Sequence, residues 1–390
     1  MSEIKVNSIK GVGASAAAIT VNNTDGTCTA NITNRTNKNL ILNGAFQIAQ
    51  RSTSSTSEGY QTVDRFQFSK GGTDETPQQA QVDVASGATP YTLGFRKAFK
   101  VTNGNQTSGV GATDFVIIQT KLEAQDIANS GWNYLSSSSY ITFSFWIKSS
   151  VAQSFQFVFK SIDVDRQLYL METGSLTADT WTKVTKTIPG NSNLAFDNDA
   201  NQGLQINLVA YSGSSYANDS GTVNAWQTYA SGIQFGKAST STWYTTNDAT
   251  LEITGVQLEV GPVVTPFEHR SFGDELLRCQ RYYHVLIDGD NTSDSFGNAT
   301  CYNSSSMHFV YQLHPQMRAT PTLDYTTGSN YYKAFQNNTD DAFDTWALVG
   351  NSHPRAVDLM ASSGVSVTSG ASALLRINNG SAKIRFTAEL

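Results

Sequence analysis

Hydrophobic and polar residues alternate with a period of two along most of this chain, the spacing that sends successive side chains to opposite faces of a β-strand. The clearest run is Tyr140, Ile141, Thr142, Phe143, Ser144, Phe145, Trp146, Ile147 and Lys148. Phe155, Phe157 and Phe159 alternate on the next run, and similar patterns occupy 63–68, 181–188, 204–211 and 251–260. Residues 39–46 read as the opening strand. A short helix is expected near 120–127. Strands separated by polar turns, with few helical patterns, predict an antiparallel sandwich over 39–268.

Two stretches break this pattern. Before residue 39 the alternation is weak: Ile4 and Val6, then Ile19 and Val21, then Cys28, Ala30 and Ile32. So small a segment cannot bury a core of its own. It is expected to dock elsewhere, as an attachment arm over 1–38. At the other end Pro262 and Pro266 stop the strand pattern, because proline cannot donate to a sheet ladder. Ser271 then stands three residues before Asp274, a capping-box spacing. Phe272, Leu276, Cys279 and Tyr283 follow at i, i+4, i+7 and i+11, one apolar helix stripe. A linking helix is predicted over 269–284, its stripe covering a subunit or domain contact. Residues 285–390 return to β patterns, at 307–313, 322–325 and 382–387 among others. The fold class is therefore mainly β: a sandwich and a smaller C-terminal β domain, joined by a short helix.

Composition narrows the function. Aromatics make up 11% of the chain and hydrophobics 39%, enough to fold. Charged residues make up only 15%, below the ~25% of ordinary soluble domains. The net charge is −6 and no lysine- or arginine-rich run exists, which argues against nucleic acid. Three scattered cysteines, Cys28, Cys279 and Cys301, make no disulfide framework. No signal-peptide pattern opens the sequence. No run approaches the ~20 apolar residues of a membrane helix. Synthesis in a cytoplasm is the expectation.

Candidate chemistry is sparse. The sequence holds no GxSxG elbow, HExxH, phosphate loop or CxxC. Its five histidines all lie in the last third. Glu123, Asp163, Asp165 and Glu172 could supply a glycosidase pair, but sequence cannot place two carboxylates at the needed separation of ~5–9 Å. No enzyme is expected. Asp197, Asp199 and Asn201 offer oxygens at alternate positions, as a structural Ca²⁺ site would. An EF-hand fails there, since its sixth and twelfth positions hold Gln202 and Leu208. The plain alternative is an Asx-rich turn; no other cofactor is expected. Among six tryptophans, Trp146 and Trp181 sit in strong strand patterns and read as core. Trp132, Trp226 and Trp243 sit in polar, loop-like surroundings. They are the candidate glycan contacts, because aromatic faces stack on the C–H faces of sugars.

Several segments carry a family likeness. Residues 39–46, then Gln50 and Arg51, Tyr60, and Thr62, Val63, Asp64, Arg65 and Phe66 resemble the opening of a domain common in phage tail-fibre and virion-appendage proteins. Residues 143–149 resemble one of its strands. Leu258, Glu259, Val260 and Gly261, then Thr265 to Glu268, Arg270, Leu276, and Cys279 to Tyr283 resemble its close. Met317 to Thr322 resemble part of the domain after it. The first 38 residues are similar to N-termini of such proteins in marine and cyanobacterial phages. The resemblance implies a jelly-roll akin to carbohydrate-binding modules, assembled as a homotrimer on a tail or capsid. The expected function is that of a structural virion protein, a tail fibre or host-recognition appendage that binds surface glycans. Its arm would hold other virion proteins. The rivals are a capsid decoration, head fibre or tail adaptor with no ligand, and a polysaccharide depolymerase.

Overall fold

The strand Tyr140–Ser149 shows how the body is built. Its Ile141, Phe143, Phe145 and Ile147 all face one way and are almost wholly buried. Phe143 meets Phe157 and Phe159 at ring-centroid distances of 5.7 and 5.1 Å, and Phe145 meets Phe157 at 5.4 Å. Burying each such side chain stabilises the fold by roughly 1.5–3 kcal/mol. The computed structural model describes residues 6–10, 12, 19–21, 28–30, 36–164, 166–289 and 291–390. Within them the chain is mainly β, a jelly-roll sandwich followed by further sheets.

The sandwich has two six-stranded sheets. The first runs Trp226–Thr228, Gln167–Glu172, Gln156–Ser161, Gln202–Ser212, Phe115–Glu123, Phe66–Gly71. The second runs Thr182–Pro189, Tyr140–Ser149, Thr250–Val260, Lys97–Thr102, Gln78–Asp83, Ser54–Ser55. The main hydrophobic core lies between them. A smaller three-stranded sheet, Ser8–Ile9, Ile19–Val21 and Cys28–Ala30, precedes them. Ile4 and Ile32 lie outside the described residues.

Three local expectations are corrected. Residues 39–46 form a turn, not a strand. Asn43 takes a left-handed φ of 56°, and its side chain ties Ile48 and Asp64 together through hydrogen bonds of 2.8 to 3.0 Å. Gly44 passes so close to Val256 that a Cβ would sit 2.0 Å from its carbonyl oxygen. Next, Phe115–Glu123 stays extended, and the short helix begins only at Ala124. The inward positions Val116, Ile118, Thr120 and Leu122 keep the strand going as far as the core reaches.

The third concerns the linking helix, which spans Phe272–Gln280 and is capped by Ser271 Oγ as expected. Its buried face is Glu275 and Cys279, with Leu276 half-buried. Phe272 is 59% exposed. Tyr283 is not helical but opens the strand Tyr283–Asp288. Only Phe272 leaves the apolar stripe, since Leu276 is half-buried and Cys279 and Tyr283 are buried; Glu275 is drawn inward beside them, accepting from the Asn43 amide at 2.5 Å and facing Arg270 at 3.5 Å.

Beyond the helix, Tyr283–Asp288, Lys383–Thr387 and Thr322–Tyr325 form one sheet, and a seven-stranded sheet packs beside it around Met307, Phe309, Tyr332, Trp346, Leu375 and Phe386. The junction with the sandwich is polar. Arg281 donates from Nε and Nη2 to Glu123, both at 2.7 Å, and the Tyr282 hydroxyl donates to the same carboxylate. Burial raises the Glu123 pKa, but those hydrogen bonds and the Arg281 charge outweigh it, and the net shift is downward. Arg65 stacks over Tyr282 at 3.4 Å and Arg51 over Tyr283 at 3.6 Å. Both guanidinium groups also hold Glu389. Arg318 donates to the Ala388 carbonyl at 2.8 Å on one side and to Ala200 at 3.0 Å on the other. Arg51, Arg65, Arg281, Tyr282, Tyr283 and Arg318 all belong to the segments that carry the family likeness. Three stretches distant in sequence, 51–65, 281–283 and 318, meet here.

Candidate functional site

Alternation places Thr142, Ser144, Trp146 and Lys148 on the outer face of the second sheet, opposite the core. Trp146 pairs across the ladders with Lys183 and Thr254, near the middle of that face. Two segments then fold over the sheet and leave a groove of about 380 Å³. One segment brings Leu93 and Phe95; the other, 262–269, brings Phe267 and His269.

The local chemistry explains why both segments stay there. The strand Thr250–Val260 bulges between Thr254 and Gln257, where Gly255 adopts φ +64°. A Cβ at Gly255 would lie 2.6 Å from the Phe95 ring, so glycine lets that ring seat against the sheet. Phe95, Phe267 and His269 form a cluster with ring centroids 4.9 to 5.0 Å apart. His269 Nε2 lies 2.9 Å from the Leu93 carbonyl oxygen and links the two segments. Thr265 donates from its amide to the buried Glu259 at 2.9 Å, and the Glu268 amide donates to Gln257 at 2.8 Å.

The groove therefore has aromatic walls and a polar rim. Trp146 and the neighbouring Trp181 are half-buried, and Lys183 is exposed. Lys148 pairs with Glu252 at 3.0 Å and reaches over the Trp181 ring at 5.3 Å. Trp146, half-buried against the Phe95 cluster, gives the groove an indole wall, and Ser144, Lys183 and Thr265 give it hydroxyl and ammonium groups. That is suited to a ligand with apolar faces and hydroxyl edges.

The tryptophans expected to contact glycan are elsewhere. Trp132 is 3% exposed and Trp243 is 0% exposed, both within the main core. Their loops are polar, yet the rings turn inward and cannot meet a ligand. Trp226 is half-buried on an edge strand, its ring tilted against Tyr169 at a centroid distance of 5.1 Å, with its Nε1 donating to the Pro189 carbonyl at 2.7 Å. Trp146 and Trp181, read as core, do pack against an apolar cluster, but it is the smaller one around Phe95 on the outer face of the second sheet, where both stay half-buried. Parity was the available signal: Trp146 is out of phase with Phe143, Phe145 and Ile147.

Asp199 accepts from the Asn201 backbone at 2.9 Å and its side-chain amide at 2.6 Å, an Asx turn. The Asp197 amide donates to Asp163 at 3.1 Å. Among the described residues no group of three or more His, Cys, Asp or Glu is placed to hold a metal. Asp165 lies outside them. Glu123 is spent on the junction, and Glu172 accepts from Gln156 at 3.2 Å. Among the described residues no helix is long and apolar enough to cross a membrane.

No family model matches the sequence, and no curated protein matches it. Similar solved structures include a tailspike protein 4 enzymatically active domain from bacteriophage CBA120, at 12% identity and TM-score 0.30 over 57% of this chain. This chain spans only 21% of that one. A putative sugar binding protein from Bacteroides thetaiotaomicron is 13% identical with TM-score 0.31, over 57% of this chain and 100% of that one. A family 11 carbohydrate-binding module from Clostridium thermocellum, in complex with a mixed-linked tetrasaccharide, is 12% identical with TM-score 0.24, over 55% of this chain and 98% of that one. Likenesses this distant transfer neither a function nor a site to this chain.

Proposed function

We propose that this chain is a non-catalytic glycan-binding protein of a bacteriophage particle, a tail fibre or host-recognition appendage. The observation that carries the glycan part is the outer-face groove, where Trp146 lies with Phe95 and Phe267 beside Lys183 and Ser144. A sugar ring stacks its C–H face on an indole, and its hydroxyls find the polar rim. The particle part is supported by the ordered likeness across 39–325. The N-terminal arm attaches the chain to other virion proteins. Assembly as a homotrimer multiplies weak contacts through effective concentration.

The test is titration of host envelope polysaccharide into the full chain and into Trp146→Ala. The proposal predicts binding by the parent and at least about tenfold weaker binding by the variant, a loss of about 1.4 kcal/mol. No binding by the parent would leave the chain a purely structural part. Reducing ends released during the incubation would overturn the non-catalytic assignment.

A further inference from the structure

A second cavity, larger than the groove, lies between the sandwich and the C-terminal sheets. It measures about 500 Å³ and takes its walls from both units, with Ser54, Tyr60 and Gln61 on one side and Asp324, Arg385 and Thr387 on the other. That volume suits a small organic ligand rather than a single ion.

Charge narrows the ligand class. Two guanidinium groups, Arg51 and Arg385, and two carboxylates, Asp324 and Glu389, line the cleft. Each cation already has an anion: Arg51 contacts Glu389 at 3.1 Å, and Arg385 lies 3.4 Å from Asp324. A phosphate or carboxylate would enter a formally neutral site and meet two like charges. An apolar ligand would strand the polar walls without partners. A neutral polyhydroxylated molecule satisfies both donors and acceptors. The Asp324 side chain is 55% exposed and makes no short hydrogen bond to Arg385, so its oxygens can accept from hydroxyls. Arg385 donates to the Tyr283 hydroxyl at 3.1 Å and is held in place by it.

We propose that this cleft is a second saccharide site, taking one neutral sugar unit between Asp324 and Arg385 on one wall and Ser54 and Gln61 on the other. It is separate from the Trp146 groove, with no lining residue in common. A sugar held there touches both units and stabilises their junction.

Saturation-transfer NMR on full-length Trp146→Ala tests this with the groove disabled. The probes are glucose, galactose, mannose and rhamnose, with glucuronate as the charged control. At least one neutral sugar is expected to show transfer. Asp324→Ala, and independently Ser54→Trp, should weaken it about tenfold or abolish it, with melting curves unchanged. Transfer from no neutral sugar overturns the proposal, as does transfer that survives both variants. Preferential binding of glucuronate would overturn the neutral assignment. Transfer that persists in Trp146→Ala but is lost in Asp324→Ala assigns the sugar to the cleft; transfer seen in the parent and lost in Trp146→Ala assigns it to the groove alone and overturns the second site.

Discussion

The sandwich interior and its junction with the C-terminal unit are both buried, yet they are held by opposite means. The interior is aromatic and aliphatic, with Phe143, Phe145, Phe157 and Phe159 in mutual contact. The junction is built from Arg51, Arg65 and Arg281 against Asp64, Glu123 and Glu389, with Arg318 on backbone carbonyls and Tyr282 and Tyr283 as stacking plates. The first kind of contact is non-directional and tolerates substitution by similar volume. The second depends on every partner being present, because a buried charge left alone is costly.

Removing bulk from the interior should cost the most. Phe157→Ala is expected to lose about 3–5 kcal/mol in chemical denaturation, with the whole sandwich unfolding together. At the junction, Glu123→Ala leaves Arg281 and Tyr282 without their acceptor and should cost about 3 kcal/mol. Hydrogen exchange should then show opening first around 281–284 and 388–390 rather than across the sandwich. Uniform exchange would mean that the junction is no weaker than the core.

Asp64 sharpens the contrast through pH. Burial lifts its pKa to about 6, against the opposing pull of Arg51 and the Gln50 hydrogen bonds. A carboxyl whose folded pKa lies above its unfolded value binds more protons in the folded state. Its ionisation therefore costs stability as pH rises from about 4 to about 6, and the cost stays constant above that. Stability measured by denaturation should fall by up to about 3 kcal/mol across this window from this group, and Asp64→Asn should flatten that part of the curve. An unchanged slope in the variant would remove Asp64 as its source. The smallest stability effect belongs to Trp146→Ala, about 1 kcal/mol, because the ring is only half-buried on the outer face.

The two regions also differ in how far the sequence reveals them. Alternation locates the strand Tyr140–Ser149 and its inward phenylalanines without ambiguity, since period and side-chain direction are the same property in a strand. It also holds the key to Trp146, whose parity opposes that of Phe143 and Phe145. Trp132 and Trp243 misled because polar neighbours mark a loop but not the direction of the ring. The junction is invisible to periodicity. Arg65 and Glu389 are far apart along the chain, and only folding brings them together. The linking helix shows the same limit: its apolar stripe is real, but Glu275 is buried by Asn43 and Arg270 while Phe272 stays outside.

We propose that ligand reaches the outer face of the second sheet. Hydrogen exchange of the full chain, with and without host envelope polysaccharide, tests it most directly. Slowed exchange at 144–148, 181–184 and 262–269, absent in Trp146→Ala, is the predicted result. Protection confined to the outer face of the other sheet, at 156–161 and 202–212, would contradict it.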